Sequence, residues 1–276
     1  MKKIALFVFL VLGSLWAEAT ELVNLITTYQ ADRGALSRLY TNRLSAEYYA
    51  RMESFNQDYL KTLRAQNYDV LSEDGKIDYV LFRNFLEKQL AELDLEKRDF
   101  MAIQSVVAFG KPLEDFVVAR RRAKQPDAQA LAASWDAVAK AVAAQHKALA
   151  SSAKYTSWQQ ADLAAQAVES LNRVVKEAYD FYYDYDPAFT WWMPEPWKKL
   201  DAGMKAYAKA LREHYTNSVK DDGSGIIGKP IGREALEKQL AFEMIAYSPE
   251  ELIKEAEKQF AWCEKEMLKA SNELGF

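Results

Sequence analysis

The sequence predicts an all-α fold, in which long antiparallel helices pack in a bundle-like array. Apolar residues recur at steps of three and four over most of the chain, and this spacing places them on one face of a helix. Half of the 276 residues are hydrophobic, while only 10 glycines and 7 prolines interrupt the pattern. Residues 20–220 contain no stretch of useful length in which polar and apolar residues alternate, so a large sheet is not expected.

The first 19 residues differ from the rest of the chain. Two lysines, Lys2 and Lys3, precede an apolar run over residues 4–12, and the small residues Ala17 and Ala19 follow. The run is short for a membrane span, and the pattern is typical of a signal peptide that is cleaved near residues 17–19. We therefore expect a periplasmic or secreted protein with no stable membrane span after cleavage. A buried N-terminal helix is the alternative.

The next two predicted helices follow from apolar spacing and one cap. Between residues 44 and 63 the apolar positions follow one helical face, and Ser72 is a candidate N-cap for a helix over residues 77–95. That second helix is apolar over much of its girth, so it is expected to lie between neighbouring helices. Its second apolar stripe consists of Ile77, Leu81 and Phe85.

Two alanine-rich helices are predicted in the middle of the chain. The first opens after Asp127 and has an apolar seam over residues 131–149, and the second has its seam over residues 161–182. Small residues on such seams let two helices approach closely and pair antiparallel. A further helix is predicted over residues 197–215.

Charge and cysteine content exclude several classes of protein. The chain has 36 Lys and Arg against 40 Asp and Glu, a net charge of -4, so nucleic acid is not an expected partner. One basic cluster, residues 120–124, is predicted to be a solvated helix end, with a site for a phosphate or a partner as the alternative. The single cysteine, Cys263, excludes intrachain disulfides and lies on an apolar seam, which indicates a packed thiol.

Residues 179–197 have an unusual composition. Nine of these 19 residues are aromatic, and three prolines interrupt the helical pattern. Aromatic rings beside carboxylates can stack on sugars or line a peptide groove. The alternative, which the composition supports equally, is a corner between helices whose rings plug the end of the bundle.

The sequence offers no complete catalytic or metal-binding motif. A helical zinc site of the H-E-x-x-H kind needs two imidazoles one turn apart, whereas His146 and His214, the two histidines, are far apart in the chain. Each is interpreted as a helix-surface residue. We therefore assign no catalytic residue, no metal ligand and no cofactor to this chain.

A glycine-rich loop near residues 221–232 is followed by renewed helix. Glu243 then lies in an otherwise apolar helical turn, where a buried carboxylate needs a cationic partner, and Arg233 is the candidate. A structural ion pair and a substrate contact both remain open for it. Ser248, followed by Pro249 and by Glu251 three residues after the cap, predicts a capping box for the last helix.

Several of these segments resemble a large bacterial family known by the domain-of-unknown-function label 885, which is related to zinc metallopeptidases of the gluzincin kind. The matching segments are residues 186–192 (DPAFTWW), 223–236 (GSGIIGKPIGREAL), 242–252 (FEMIAYSPEEL) and 261–267 (AWCEKEM). The resemblance runs from about Leu22 to Phe276. Its members are usually about twice as long as this chain and carry a His-Glu zinc motif in their C-terminal half.

The resemblance implies that residues 20–276 are the helical N-terminal half of a larger metallopeptidase-like domain, inactive alone. Zinc is then expected only in a full-length relative, whose substrate would be a peptide or a small molecule. This half would form one wall of a peptide cleft. Its candidate lining residues are Trp191, Trp192, Arg233, Glu243 and Tyr247. The alternative is a non-catalytic periplasmic helical binding or interaction module that uses the aromatic segment 179–197.

Overall fold

Ten α-helices make up most of the chain that the structure, a computed structural model, describes. The described residues are 20–216, 228 and 230–275. The predicted signal peptide and most of the predicted glycine-rich loop lie outside them. Within them there is no strand, only an isolated parallel bridge between Tyr155 and Tyr215, so the all-α prediction is confirmed.

The helices are α1 (Val23–Leu39), α2 (Ala46–Arg64), α3 (Glu73–Met101), α4 (Lys111–Arg121), α5 (Ala128–Leu149), α6 (Trp158–Tyr182), α7 (Pro187–Trp192), α8 (Pro194–Glu213), α9 (Arg233–Phe242) and α10 (Pro249–Glu273). No helix in the described ranges has both the length and the apolar character to cross a membrane. The chain divides into two units, Met1–Val219 with α1–α8 and Lys220–Phe276 with α9 and α10.

Helix α6 forms the centre of the first unit. It packs against α8 and α4, and α8 also packs against α5, which gives the bundle-like packing that the sequence predicts. Every residue of the predicted seam over 161–182 is buried. Because much of that seam is alanine, its neighbours can approach the α6 backbone closely. The buried residues of the seam are Ala161, Ala164, Val168, Leu171, Val175, Ala178 and Tyr182.

Helices α1, α2 and α3 pack around the ring of Tyr29. This ring stacks on Phe55 at 5.0 Å and meets the edge of Phe82 at 5.3 Å, while its hydroxyl donates to Asn56 Oδ1 at 2.9 Å. The second apolar stripe predicted for α3 is covered only in part, since the Phe85 ring lies 5.7 Å from that of Tyr29, whereas Ile77 is 57% exposed and Leu81 is 51% exposed. The expectation that α3 lies between neighbouring helices therefore holds at Phe85 and fails at Ile77 and Leu81.

The predicted helix starts are confirmed by their hydrogen bonds. Ser72 Oγ accepts from the Gly75 N–H at 3.1 Å, and Asp127 Oδ1 accepts from the Ala130 N–H at 3.0 Å. At α10 the Ser248 side chain and the Glu251 carboxylate cap each other's backbone, which forms the predicted capping box. Each cap satisfies amide groups that the first turn of a helix leaves without intrahelical partners.

The second unit buries none of the described side chains of α9 and α10. Cys263 on α10 is exposed, so the prediction of a packed thiol is wrong. The apolar seam of α10 has the expected helical spacing, but α9 does not bury it. Spacing identifies the apolar face of a helix and says nothing about what covers that face.

A polar cluster connects the α1–α2 loop to α4 and α6. Asn42 Nδ2 donates to Glu114 Oε1 at 3.0 Å, and Ser170 Oγ donates to Asn42 Oδ1 at 3.0 Å. Burial, reinforced by the charge of Glu47, raises the pKa of Glu114 above its ordinary value, although the hydrogen bond from Asn42 opposes the shift. Desolvation of the ionised carboxylate is therefore a cost that the folded protein bears at this position.

Replacing Glu114 with Gln should raise the melting temperature at about pH 7, and the gain should vanish below the ordinary pKa of 4.5. A carboxyl whose pKa rises on folding contributes stability that is fully present below the unfolded pKa. That stability is lost as the pH rises through the folded-state pKa. Gln at position 114 avoids this loss, because its amide oxygen still accepts from Asn42 and carries no charge. Thermal unfolding of both proteins across this pH range tests it, with the exposed Asp115→Asn as control. Equal melting temperatures of E114Q and wild type at every pH would contradict it.

Replacing Gly110 with Ala should lower the free energy of unfolding by about 1–3 kcal/mol, because the new methyl group overpacks the core. A Cβ at this position would lie 2.8 Å from Leu171 Cδ2 and 2.9 Å from the Val107 carbonyl oxygen. Gly203→Ala is the matched control, since its Cβ would meet Val142 Cγ1 at 3.6 Å. In the interior of α8 it should stabilise by about 1 kcal/mol. Urea unfolding measures both changes, and a neutral G110A would show that the contact relaxes.

Candidate functional site

The short helix α7 is fixed at one end of the first unit by a cap and a buried ring. Asp186 Oδ1 accepts from the N–H groups of Ala188 at 2.9 Å and Phe189 at 3.1 Å, and Pro187 supplies a first-turn residue without an N–H. Phe189 is 0% exposed. Its ring centroid lies 5.2 Å from that of Tyr182 on α6 and 6.1 Å from that of Phe116 on α4.

Other rings of the same segment face away from the core. Trp191 and Tyr185 are each 80% exposed, far beyond what packing in the bundle would leave. We call this group the aromatic surface, which consists of Phe181, Tyr183, Tyr185, Trp191 and Trp192. Both interpretations of residues 179–197 therefore describe part of the segment, because some of its rings plug the bundle and others remain exposed.

The basic cluster at the end of α4 lies against this surface. The guanidinium carbon of Arg120 is 4.4 Å from the centroid of the Phe181 ring. The turn that follows is tied to the aromatic segment by two bonds, from Tyr182 Oη to the Lys124 carbonyl at 3.1 Å and from Gln125 Nε2 to Asp186 Oδ2 at 2.5 Å. The sequence predicts a solvated helix end here. This is right for the exposed Arg121 but incomplete for Arg120, whose Nε is buried.

The candidates in the second unit differ from their predicted arrangement. Arg233 contacts Glu250, with Nη2 and Oε2 3.0 Å apart, and Glu237, with Nε and Oε1 2.8 Å apart. Glu243 is exposed and lies just after α9, where Met244 adopts a φ of 57°. The expected buried Glu243 within a helix, paired with Arg233, is therefore wrong, because the helix ends one residue earlier.

The five predicted cleft residues thus belong to two different units. Trp191 and Trp192 are neighbours on α7 in the first. Arg233 begins α9 in the second, and Glu243 and the 56% exposed Tyr247 follow that helix. Arg120 is the residue that sequence reasoning missed, because its position over Phe181 arises from the packing of α4 on α6. In the sequence, the membership of Arg120 in the basic cluster was the local feature that could have indicated a functional role.

His214 is half-buried and forms a contact that resembles a catalytic pair. Its Nε2 lies 3.1 Å from Ser152 Oγ and 3.3 Å from the Ala153 carbonyl oxygen, while Ser152 Oγ donates to the Leu149 carbonyl at 3.0 Å. A carbonyl can only accept, so we assign the proton to Nε2. His214 then acts as a donor that fixes the loop and does not act as a base for Ser152.

The family resemblance implies a zinc site in the C-terminal half of full-length members, and the described residues of this chain do not fit such a site. No group of three His, Cys, Asp or Glu side chains in the described ranges is arranged to hold a metal ion. The Nε2 atom of His214 is already engaged as a donor, and the ring of His146 lies 5.9 Å from that of Tyr207, measured between centroids. We therefore derive no catalytic step through a metal from these residues.

A model of one protein family matches residues 28–276, which is most of the chain. The chain belongs to the DUF885 family. That family is described as a bacterial protein of unknown function, so the match confirms membership of the family and gives this DUF885 chain no activity. Searches of the curated proteins and of the solved structures found no match to it.

Zinc titration of this DUF885 chain should reveal no tight stoichiometric site, because a structural or catalytic site needs three or four converging ligands. Isothermal titration calorimetry of the metal-free protein, before and after His214→Ala, measures this. A 1:1 site of nanomolar affinity that H214A abolishes would contradict both the histidine assignment and the proton position at Nε2.

Proposed function

We propose that this chain forms one wall of a peptide-binding cleft in an exported, zinc-metallopeptidase-like protein. The observation that carries the proposal is the aromatic surface, in which five exposed rings adjoin a helix anchored by the buried Phe189. A zinc-metallopeptidase relationship, which the sequence resemblance implies, would make a peptide the bound molecule. The residues of this chain contribute binding, and the zinc motif would be supplied by sequence outside it.

The geometry of the surface suits binding more than packing. Exposed tryptophan and tyrosine rings cost free energy in water and regain it when a ligand covers them, and they lose little side-chain entropy on binding. Their support is rigid, since the Asp184 N–H donates to Thr190 Oγ1 at 2.9 Å and Asp186 caps α7. A fixed array of rings avoids much of the cost of ordering a loop around a peptide.

A second candidate function uses the same surface without catalysis, as a periplasmic helical binding or interaction module. The two proposals differ in what accompanies this region in the complete protein. Reading the gene beyond codon 276 distinguishes them. An in-frame continuation with a His-Glu zinc motif supports the metallopeptidase-like protein, and a stop codon there supports the binding module.

Titration with a neutral peptide should shift the indole N–H resonances of Trp191 and Trp192. The probe is an N-acetylated and amidated Ala-Ala-Phe-Gln-Ala-Ala peptide, and uniformly ¹⁵N-labelled full chain is observed by NMR. The sequence has 7 tryptophans, so single Trp→Phe variants suffice to assign the indole signals. The fully buried Trp135 should not respond, because its ring is 0% exposed and packs against Phe116.

The double variant Trp191→Ala, Trp192→Ala should weaken peptide binding about thirtyfold, since each of the two covered rings contributes on the order of 1 kcal/mol. Its melting temperature should change little, because the anchoring ring, Phe189, is retained. Trp158→Ala is a matched control, as Trp158 is 37% exposed against 42% for Trp192 and starts α6. Peptide binding that survives in the double variant would show that the aromatic surface is not the site.

A further inference from the structure

The guanidinium of Arg120 lacks the polar partners that a partly buried charge needs. Its Nε is buried without a hydrogen-bond partner, and within the described part of the chain it forms no ion pair. One face of the guanidinium is covered by Phe181. Burial, together with the like charge of Arg121, lowers the pKa of Arg120, and the charge of Glu177 offsets this shift only in part. A guanidinium that has no hydrogen-bonded carboxylate at a partly desolvated position costs free energy, and an anion bound there would relieve that cost.

The acidic side chains of the neighbouring helix are already occupied. Glu177 pairs with Arg173 at 2.8 Å and Asp180 pairs with Lys176 at 2.5 Å, each along α6. The Asp186 carboxylate caps α7 and accepts from Gln125. The four basic residues at the end of α4 therefore keep an excess of positive charge beside the aromatic surface.

The helix dipole explains only part of this arrangement. Cations near the C-terminus of a helix interact favourably with its last carbonyl groups, and this accounts for the exposed Arg121 and Arg122. It does not require a guanidinium to be partly buried over a ring. Arginine stacked on an aromatic ring keeps its edge N–H groups free for a planar, bidentate acceptor such as a carboxylate.

The turn that carries these charges is rigid and strained. The Lys124 N–H donates to the Ala119 carbonyl at 2.9 Å and the Ala123 N–H to the Arg120 carbonyl at 2.9 Å, which is the Schellman pattern of helix ends. Ala123 has a φ of 54°, a conformation that glycine adopts more easily. The bond from Tyr182 to the Lys124 carbonyl holds the turn against α6. The basic side chains thus project from a fixed backbone.

We propose that Arg120, supported by Arg121 and Lys124, binds the carboxylate of an acidic side chain in a peptide that lies across the aromatic surface. The inference rests on the proposed peptide-binding function and adds a preference for Asp or Glu in the peptide. A peptide is favoured over a small free anion because the exposed Phe181 ring beside Arg120 offers an apolar contact that only a larger ligand would use.

The test compares two amidated, fluorescein-labelled peptides, Ala-Ala-Phe-Glu-Ala-Ala and its Gln counterpart, by fluorescence anisotropy with the full chain. We expect the Glu peptide to bind about tenfold more tightly, as for a charge-assisted pair at a partly desolvated site. In Arg120→Gln the ratio should fall to about one while the affinity for the Gln peptide is retained. Because the pair is partly exposed, the ratio should also shrink as salt is added.

Two further variants make the result specific to this site. Arg121→Gln, at an exposed position, should reduce the ratio of Glu-peptide to Gln-peptide affinity only in part. Because this variant keeps the partly buried Arg120, its result does not depend on whether R120Q folds correctly. Arg51→Gln on α2 makes the same change in net charge at an exposed position outside this end of the bundle, and it should leave the ratio unchanged. A ratio that falls equally in R51Q and R120Q would reduce the effect to net charge and overturn the proposal.

The remaining outcomes separate this inference from the proposed function. Equal binding of the two peptides by the wild type, still dependent on Trp191 and Trp192, would overturn the acidic preference and leave the peptide site standing. Binding of neither peptide would overturn both. A third outcome would identify a site for small anions. Inorganic phosphate would then displace the Glu peptide, R120Q would abolish phosphate binding, and the tryptophan variants would bind the Glu peptide as tightly as the wild type. That result overturns the proposal.

Discussion

The close approach of helices to the alanine-lined faces of α6 is the constraint on which the first unit depends. Ala164, Ala165 and Ala167 are each 0% exposed, so α6 is covered on more than one side by its neighbours. A larger side chain at any of these positions would force α8 or α4 away from the axis. The end of the same helix supplies the rings that hold Phe189. The position of α7, and with it of the exposed tryptophans, therefore follows from how α6 is packed.

Much of this architecture could be predicted because the spacing of apolar residues in the sequence indicates which face of a helix is apolar. The seam of α6 and the caps at Ser72, Asp127 and Ser248 lie where spacing and side-chain chemistry place them. The errors have one physical cause. The exposed Leu81 and Cys263 both lie on apolar faces with the correct period, but periodicity does not reveal whether another helix covers a face.

The candidate site was less accessible to sequence reasoning because its features arise from tertiary contacts. The composition of residues 179–197 indicates that rings matter there, but it does not separate the buried Phe189 from the exposed Trp191 two residues later. The same limit applies to Arg120, which lies in a run of like charges and is distinguished only by its stacking on Phe181. For Glu243 the signal was misleading, because a left-handed Met244 ends the helix that the apolar pattern suggested would continue.

In the proposed site, anchoring and recognition belong to different side chains of one six-residue helix. Phe189 is 0% exposed, whereas Trp191 is 80% and Trp192 is 42% exposed, so substitutions at the two exposed positions are expected to disturb the core less. Such a division makes ligand preference evolvable, since substitutions at the exposed positions can be sampled without approaching the threshold at which the fold is lost. Members of one family can then share this helical frame while their exposed rings diverge with the ligands they meet.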